Sequence, residues 1–171
     1  IFKYGAKTFY QLIESIQADM FFMVIEKLFI ADSQKVIGQQ DRKTVSVGMI
    51  MLLTEFDCFL GNRESLWASL LQTVIAVFEL QVDTTVQEDE HFIEIEEASG
   101  YQAGYSQLAF AKKLPHDPVQ NITNPRNYLA KSIAALSRKH PGKFNSLIAT
   151  METDALNFFR NYCLDAIVSV I

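Results

Sequence analysis

Residues 88–91, Glu-Asp-Glu-His, set three carboxylates beside an imidazole, and Glu94, Glu96 and Glu97 follow within a few positions. Side chains of these types can move protons, hold a metal ion or attract a cationic partner. Proton transfer needs groups whose pKa values are driven apart by burial and fixed geometry, and a polar run of acids supplies neither. A calcium loop needs alternating oxygen ligands around a central glycine, and a zinc hydrolase needs two histidines one helical turn apart. Neither spacing is present, so no metal and no cofactor is expected. Attraction needs only concentrated charge. Residues 64–111 hold nine of the chain's 20 acidic residues and none of its 15 basic ones, so the formal net charge of −5 is made locally. Charge placed this unevenly points to a basic partner.

The remaining reactive side chains do not converge. His91 lies in the acidic stretch, His116 between prolines and His140 at a helix end, where the helix dipole favours it. No glycine-rich phosphate loop, nucleophile elbow or spaced Cys/His pair occurs, and an enzyme is not expected. Cys58 and Cys163 stand too far apart for a C-x-x-C motif, which suits a reducing compartment. Asn121-Ile122-Thr123 matches a glycosylation acceptor, but nothing else suggests secretion. A negative patch disfavours nucleic acid.

The elements that must carry the acidic stretch read as helices. With 171 residues, 49% hydrophobic and 20% charged, the chain is expected to form one ordered domain. Its longest apolar run, 20–25, is far short of the ~20 residues that cross a bilayer. Ile1-Phe2-Lys3-Tyr4 lacks the layout of a secretory signal and already reads as helix, as in a chain cut from a longer one. Phe9, Leu12, Ile13 and Ile16 recur at helical spacing. Asp19 is expected to cap a second helix over 20–30, apolar on nearly every side and therefore covered on nearly every side. A turn at 38–40 and a cap at Asp41 introduce a third helix, which ends near Phe56. Over 64–80, Leu66, Trp67, Leu70, Leu71, Val74, Ile75 and Phe78 form one continuous apolar stripe. A short helix at 104–111 precedes a proline-containing connection at 112–125. Three more helices follow, at 128–140, 144–151 and from Asp154, the last with Leu156, Phe159, Cys163, Ile167 and Val170 on one face.

Short turns joining helices in pairs, and an echo between 20–30 and 66–78, suit HEAT-type hairpins: an all-α solenoid rather than a closed bundle. The connection of about 20 residues after Leu80 far exceeds the usual 2–8 between packed helices. Within it, Asp83, Glu88, Asp89, Glu90, Glu94, Glu96 and Glu97 are the expected partner contacts. Phe92, Ile93 and Ile95, with Tyr101 and Tyr105, are the expected anchors that pin the loop to the helices and turn its charge into a fixed surface.

Residues 43–55 (KTVSVGMIMLLTE), 64–80 (ESLWASLLQTVIAVFEL), 89–113 (DEHFIEIEEASGYQAGYSQLAFAKK) and 116–119 (HDPV) resemble the C-terminal part of the CAS family of nuclear export receptors, in the importin-β superfamily of karyopherins. The resemblance runs along nearly the whole chain. It implies a non-enzymatic piece, 1–171, of a HEAT-repeat superhelix that wraps importin-α and RanGTP and shuttles between nucleus and cytoplasm. Residues 82–100 would be an acidic insertion facing basic surface on cargo or Ran, and the N-terminal remainder of the same receptor would be a further partner. The rival reading is a purely structural cap that ends a solenoid, with a merely solubilising acidic loop.

Overall fold

The computed structural model describes residues 1–80 and 117–168. These belong to one unit, Ile1–Leu80 with Pro118–Ile171; a second unit, Gln81–Asp117, lies outside the described residues except for Asp117. The expected helix at 104–111 falls in that undescribed part.

The first hairpin pairs α1 (Gly5–Glu14) with α2 (Met20–Val24), and α2 runs on into a π-helical turn, Ile25–Ile30. The turn between the helices is not capped by Asp19, which sits in the left-handed region at φ 59° with no capping hydrogen bond. Instead the carboxylate of Glu14 accepts the backbone N–H groups of Asp19 and Phe21, both at 2.9 Å. It thereby satisfies donors that the start of α2 would otherwise leave free. The wider π turn puts Ile25 in the core, while Met23 and Leu28 remain 48% and 54% exposed. The expectation that this helix is covered all round is therefore not met within the described residues.

The central hairpin is α3 (Gln39–Glu55) and α4 (Glu64–Glu79). Gly38, at φ +95°, occupies the position before α3, a backbone region open to glycine, and Asp41 falls inside the first turn rather than at the cap. α3 buries Ser46 through Ile50 as well as Leu52 and Leu53, because it packs against α1, α4 and the first helix of the third hairpin. On α4 the expected stripe is in the core: Trp67, Leu70, Leu71, Val74 and Ile75 are buried, with Leu66 and Phe78 packed at its edge. At about 1.5–3 kcal/mol per large side chain, those five contribute on the order of 10 kcal/mol before chain entropy is set against them.

The third hairpin is α5 (Pro125–Lys139), the short α6 (Lys143–Ile148) and α7 (Thr153–Asp165). Asn124 caps α5 by accepting the N–H of Asn127 at 3.1 Å, and Pro125 takes the first helical position, where no N–H is needed. α7 buries Phe159 and Tyr162. Leu156 and Cys163 are half-buried, and Ile167, expected on the same face, is 92% exposed at φ 54°, because the helix stops at Asp165. Val170 lies outside the described residues.

These hairpins stack in chain order. Helices α1, α3 and α5 form one layer, each packed on the next; α2 with its π turn, α4 and α7 form the other. The central hairpin touches both neighbours, and the two segments that echo each other in sequence hold equivalent places in the second layer. This is an all-α, HEAT-like solenoid fragment, as expected.

Candidate partner-binding surface

The acidic residues Asp83, Glu88, Asp89, Glu90, Glu94, Glu96 and Glu97, and the anchors Phe92, Ile93, Ile95, Tyr101 and Tyr105, all lie outside the described residues. What the structure does describe is the chain on either side of them: the end of α4, and the segment from Pro118 into α5.

These two places are fastened together. Arg126, in the first turn of α5, donates to the carbonyl of Phe78 at 2.5 Å and stands 3.1 Å from Glu79 Oε1. The Tyr162 hydroxyl, from α7, donates to the same Glu79 oxygen at 2.5 Å. The guanidinium lies 5.8 Å from the Phe78 ring centroid and 5.7 Å from that of Tyr162, and the two rings meet edge to face at 6.0 Å. A cation at the end of α4 answers both its unpaired carbonyl and its dipole. Burial first, and then the bond to Glu79, pushes the Tyr162 phenol up, so it stays protonated and donating. Glu79, one of the acids in the basic-free window, is thus neutralised from 47 residues away by Arg126.

Beside this clamp a groove opens on the second layer. It runs from Gln34, on the turn after α2, past Gln72 and Ala76 of α4 to Glu152, Ala155 and Phe158 at the start of α7, with Glu79 also in its wall. Phe158 is 40% exposed. Sequence reasoning missed both features. The clamp joins residues remote in sequence and leaves no local pattern. The groove does leave a trace: beyond Glu64 at its start, the positions of α4 that are not fully buried away from the stripe are Ser65, Ser69, Gln72, Ala76 and Glu79, short or uncharged except the last.

At another joint between hairpins, Asp57 accepts from Lys139 Nζ at 2.8 Å and lies 3.3 Å from His140 Nε2. His140 sits just past the C-terminus of α5, the place expected for it. The Lys139 hydrogen bond outweighs burial and holds the Asp57 carboxyl below its ordinary value. A carboxyl lowered in the fold adds stability that is complete above its unfolded pKa and lost as pH falls through the folded one. We expect Asp57→Asn to lower the melting temperature slightly at about pH 6, the pair being partly exposed, and the difference from the parent to shrink as pH falls below the ordinary aspartate value of about 3.9 and on through the lowered folded one. Melting curves of both proteins across that range test this; a constant difference contradicts it.

Burial pushes the thiol of Cys58 up to about 12 and that of Cys163 to about 11, so neither is a ready nucleophile. No group of three or more His, Cys, Asp or Glu side chains among the described residues is placed to hold a metal ion. No helix among them is long and apolar enough to cross a membrane.

Stacked hairpins, a surface groove and charge pairs at their joints define a HEAT-like helical-repeat scaffold. The family model described as CAS/CSE protein, C-terminus, matches residues 1–162, and the chain belongs to that family. It is 43% identical to Exportin-2 of Danio rerio, and 42% identical to Exportin-2 of both Xenopus laevis and Homo sapiens, each over 99% of its length. It spans 18% of the length of those relatives. No solved structure matches it.

Proposed function

We propose that this chain is the C-terminal HEAT-like portion of a nuclear transport receptor that carries importin-α from nucleus to cytoplasm together with RanGTP. It acts by protein binding and not by catalysis. The observation that carries this reading is the stack of hairpins in a chain matched along residues 1–162 by the CAS/CSE C-terminal family. Residues 82–100 are the acidic insertion and 112–125 the proline-containing connection. Asp83, Glu88, Asp89, Glu90, Glu94, Glu96 and Glu97 contact a basic surface on the cargo or on Ran. Phe92, Ile93, Ile95, Tyr101 and Tyr105 hold the insertion against the helices. The N-terminal remainder of the same receptor is a further partner, and the exposed Leu12, Ile16, Met23 and Leu28 of the first hairpin support this.

The capping reading has an observation of its own. Beside the exposed Phe158 and Leu164, α7 turns Asn157, Arg160, Asn161 and Asp165 outward, a largely polar outer face such as ends a solenoid. One titration separates the two readings. In a full-length receptor carrying this sequence, reversing Glu88, Asp89, Glu90, Glu94, Glu96 and Glu97 to lysine is expected to weaken importin-α binding in the presence of RanGTP by at least about tenfold, near 1.4 kcal/mol. It should also flatten the dependence of that affinity on salt. Unchanged affinity with an unchanged salt slope leaves the insertion as a solubilising loop and the chain as a cap.

A further inference from the structure

The groove on the second layer runs from Gln34, in the turn that follows the first hairpin, across α4 to the start of α7. Among the described residues its lining includes two glutamates and no lysine or arginine. The two are not equivalent. Glu79 already accepts from both Arg126 and Tyr162 through one oxygen. Glu152, ahead of α7, is exposed, and no side chain among the described residues pairs with it. Lys35, next to Gln34, is itself paired with Asp32 at 2.5 Å and so supplies the groove with no free cation. The same groove is also lined by Ala76, Ala155 and the half-open ring of Phe158, together with Gln34 and Gln72.

A free carboxylate, an open aromatic ring and alanine methyls lining one groove are the chemistry a guanidinium group fits. The planar cation stacks on the ring, its N–H fork meets the carboxylate, and its aliphatic stem covers the methyls. Lysine, a compact and strongly hydrated charge, uses such a surface less well. We propose that this groove receives an arginine-bearing segment of a protein partner, with Glu152 pairing the guanidinium and Phe158 stacking on it, while Glu79 stays with Arg126. The inference rests on the protein-binding reading above but concerns residues other than 82–100.

The 171-residue chain with methyl-labelled alanine tests it, since Ala76 and Ala155 report on the groove while the buried Ala6, Ala130 and Ala134 serve as controls. The probe is a short capped peptide with two arginines, compared with its lysine and citrulline counterparts. The arginine peptide is expected to shift Ala76 and Ala155 saturably and to spare the controls. Citrulline, which keeps the shape without the charge, should bind at least about tenfold more weakly. Glu152→Gln and Phe158→Ala, both at exposed side chains, should each weaken the arginine peptide about fivefold or more. Three results overturn the proposal: no shift at Ala76 and Ala155, equal shifts with citrulline, or titrations that Glu152→Gln leaves unaltered. A shift at these methyls on deletion of 81–116 and not on adding peptide overturns it too, because the chain then fills its own groove. Lysine reversal of the six acids should leave the groove titration intact, so failure of the insertion contact and failure of the groove are read separately.

Discussion

Replacing Trp67 with alanine is expected to cost about 3–5 kcal/mol, a large share of what a domain this size has to lose. The side chain is fully buried and reaches two hairpins at once. Its indole N–H donates to the Leu53 carbonyl at 3.1 Å, and its ring meets Phe144 edge to face at 5.8 Å. Leu53 lies in the last turn of α3, where carbonyls have no partner further along the helix, so the indole supplies the bond that geometry denies. Alanine removes the packed volume and strands that carbonyl in the core. Trp67→Phe keeps most of the packing and loses only the donor, so it should cost about 1–3 kcal/mol. Urea unfolding followed by far-ultraviolet circular dichroism checks both, since the variants lack the tryptophan fluorescence signal. Equal losses in the two variants would show that the hydrogen bond to Leu53 accounts for the whole effect.

Phe21→Ala should cost a similar amount, about 3–5 kcal/mol, but lose it in one place. Phe21 is fully buried, and its ring lies 5.0 Å from Tyr10, 5.4 Å from Phe22, 5.9 Å from Phe59 and 6.2 Å from Phe9. Three of those four belong to the first hairpin, and Phe59 belongs to the turn ahead of α4, so the cluster is what seats the first hairpin on the second. In a stack where each hairpin leans chiefly on its neighbours, loss of an end interface frays that end and spares the middle. Hydrogen exchange should therefore accelerate across α1 and α2 in Phe21→Ala while α4 keeps most of its protection. In Trp67→Ala, by contrast, protection should fall across α3, α4 and the third hairpin together. Uniform loss in both variants would mean that the fragment behaves as one closed bundle.

Helix positions were legible wherever an apolar stripe repeats with helical period, as along α4, because burial of that stripe is settled by its spacing alone. Cap residues were less legible. Asp19 and Asp41 have the right side chains, but capping depends on φ and on what lies above the helix end. There Glu14 reaches back to bond Phe21, and Gly38 supplies the turn before α3. The extent of the last face was misread at Ile167, since a periodic pattern does not register that the backbone turns left-handed just after Asp165.

The amino-acid order by itself determined the class of fold, the family and the segregation of acid into residues 64–111, because period, motif and charge are properties of a one-dimensional string. Tertiary structure alone decided that Glu79 is already neutralised by Arg126 and Tyr162, that Glu152 has no side-chain partner among the described residues, and that Phe158 and Ala76 share one groove. Those relations join side chains tens of residues apart, and pairing falls off over a few ångströms, so only the stacking of hairpins sets which charges meet and which stay open to a partner.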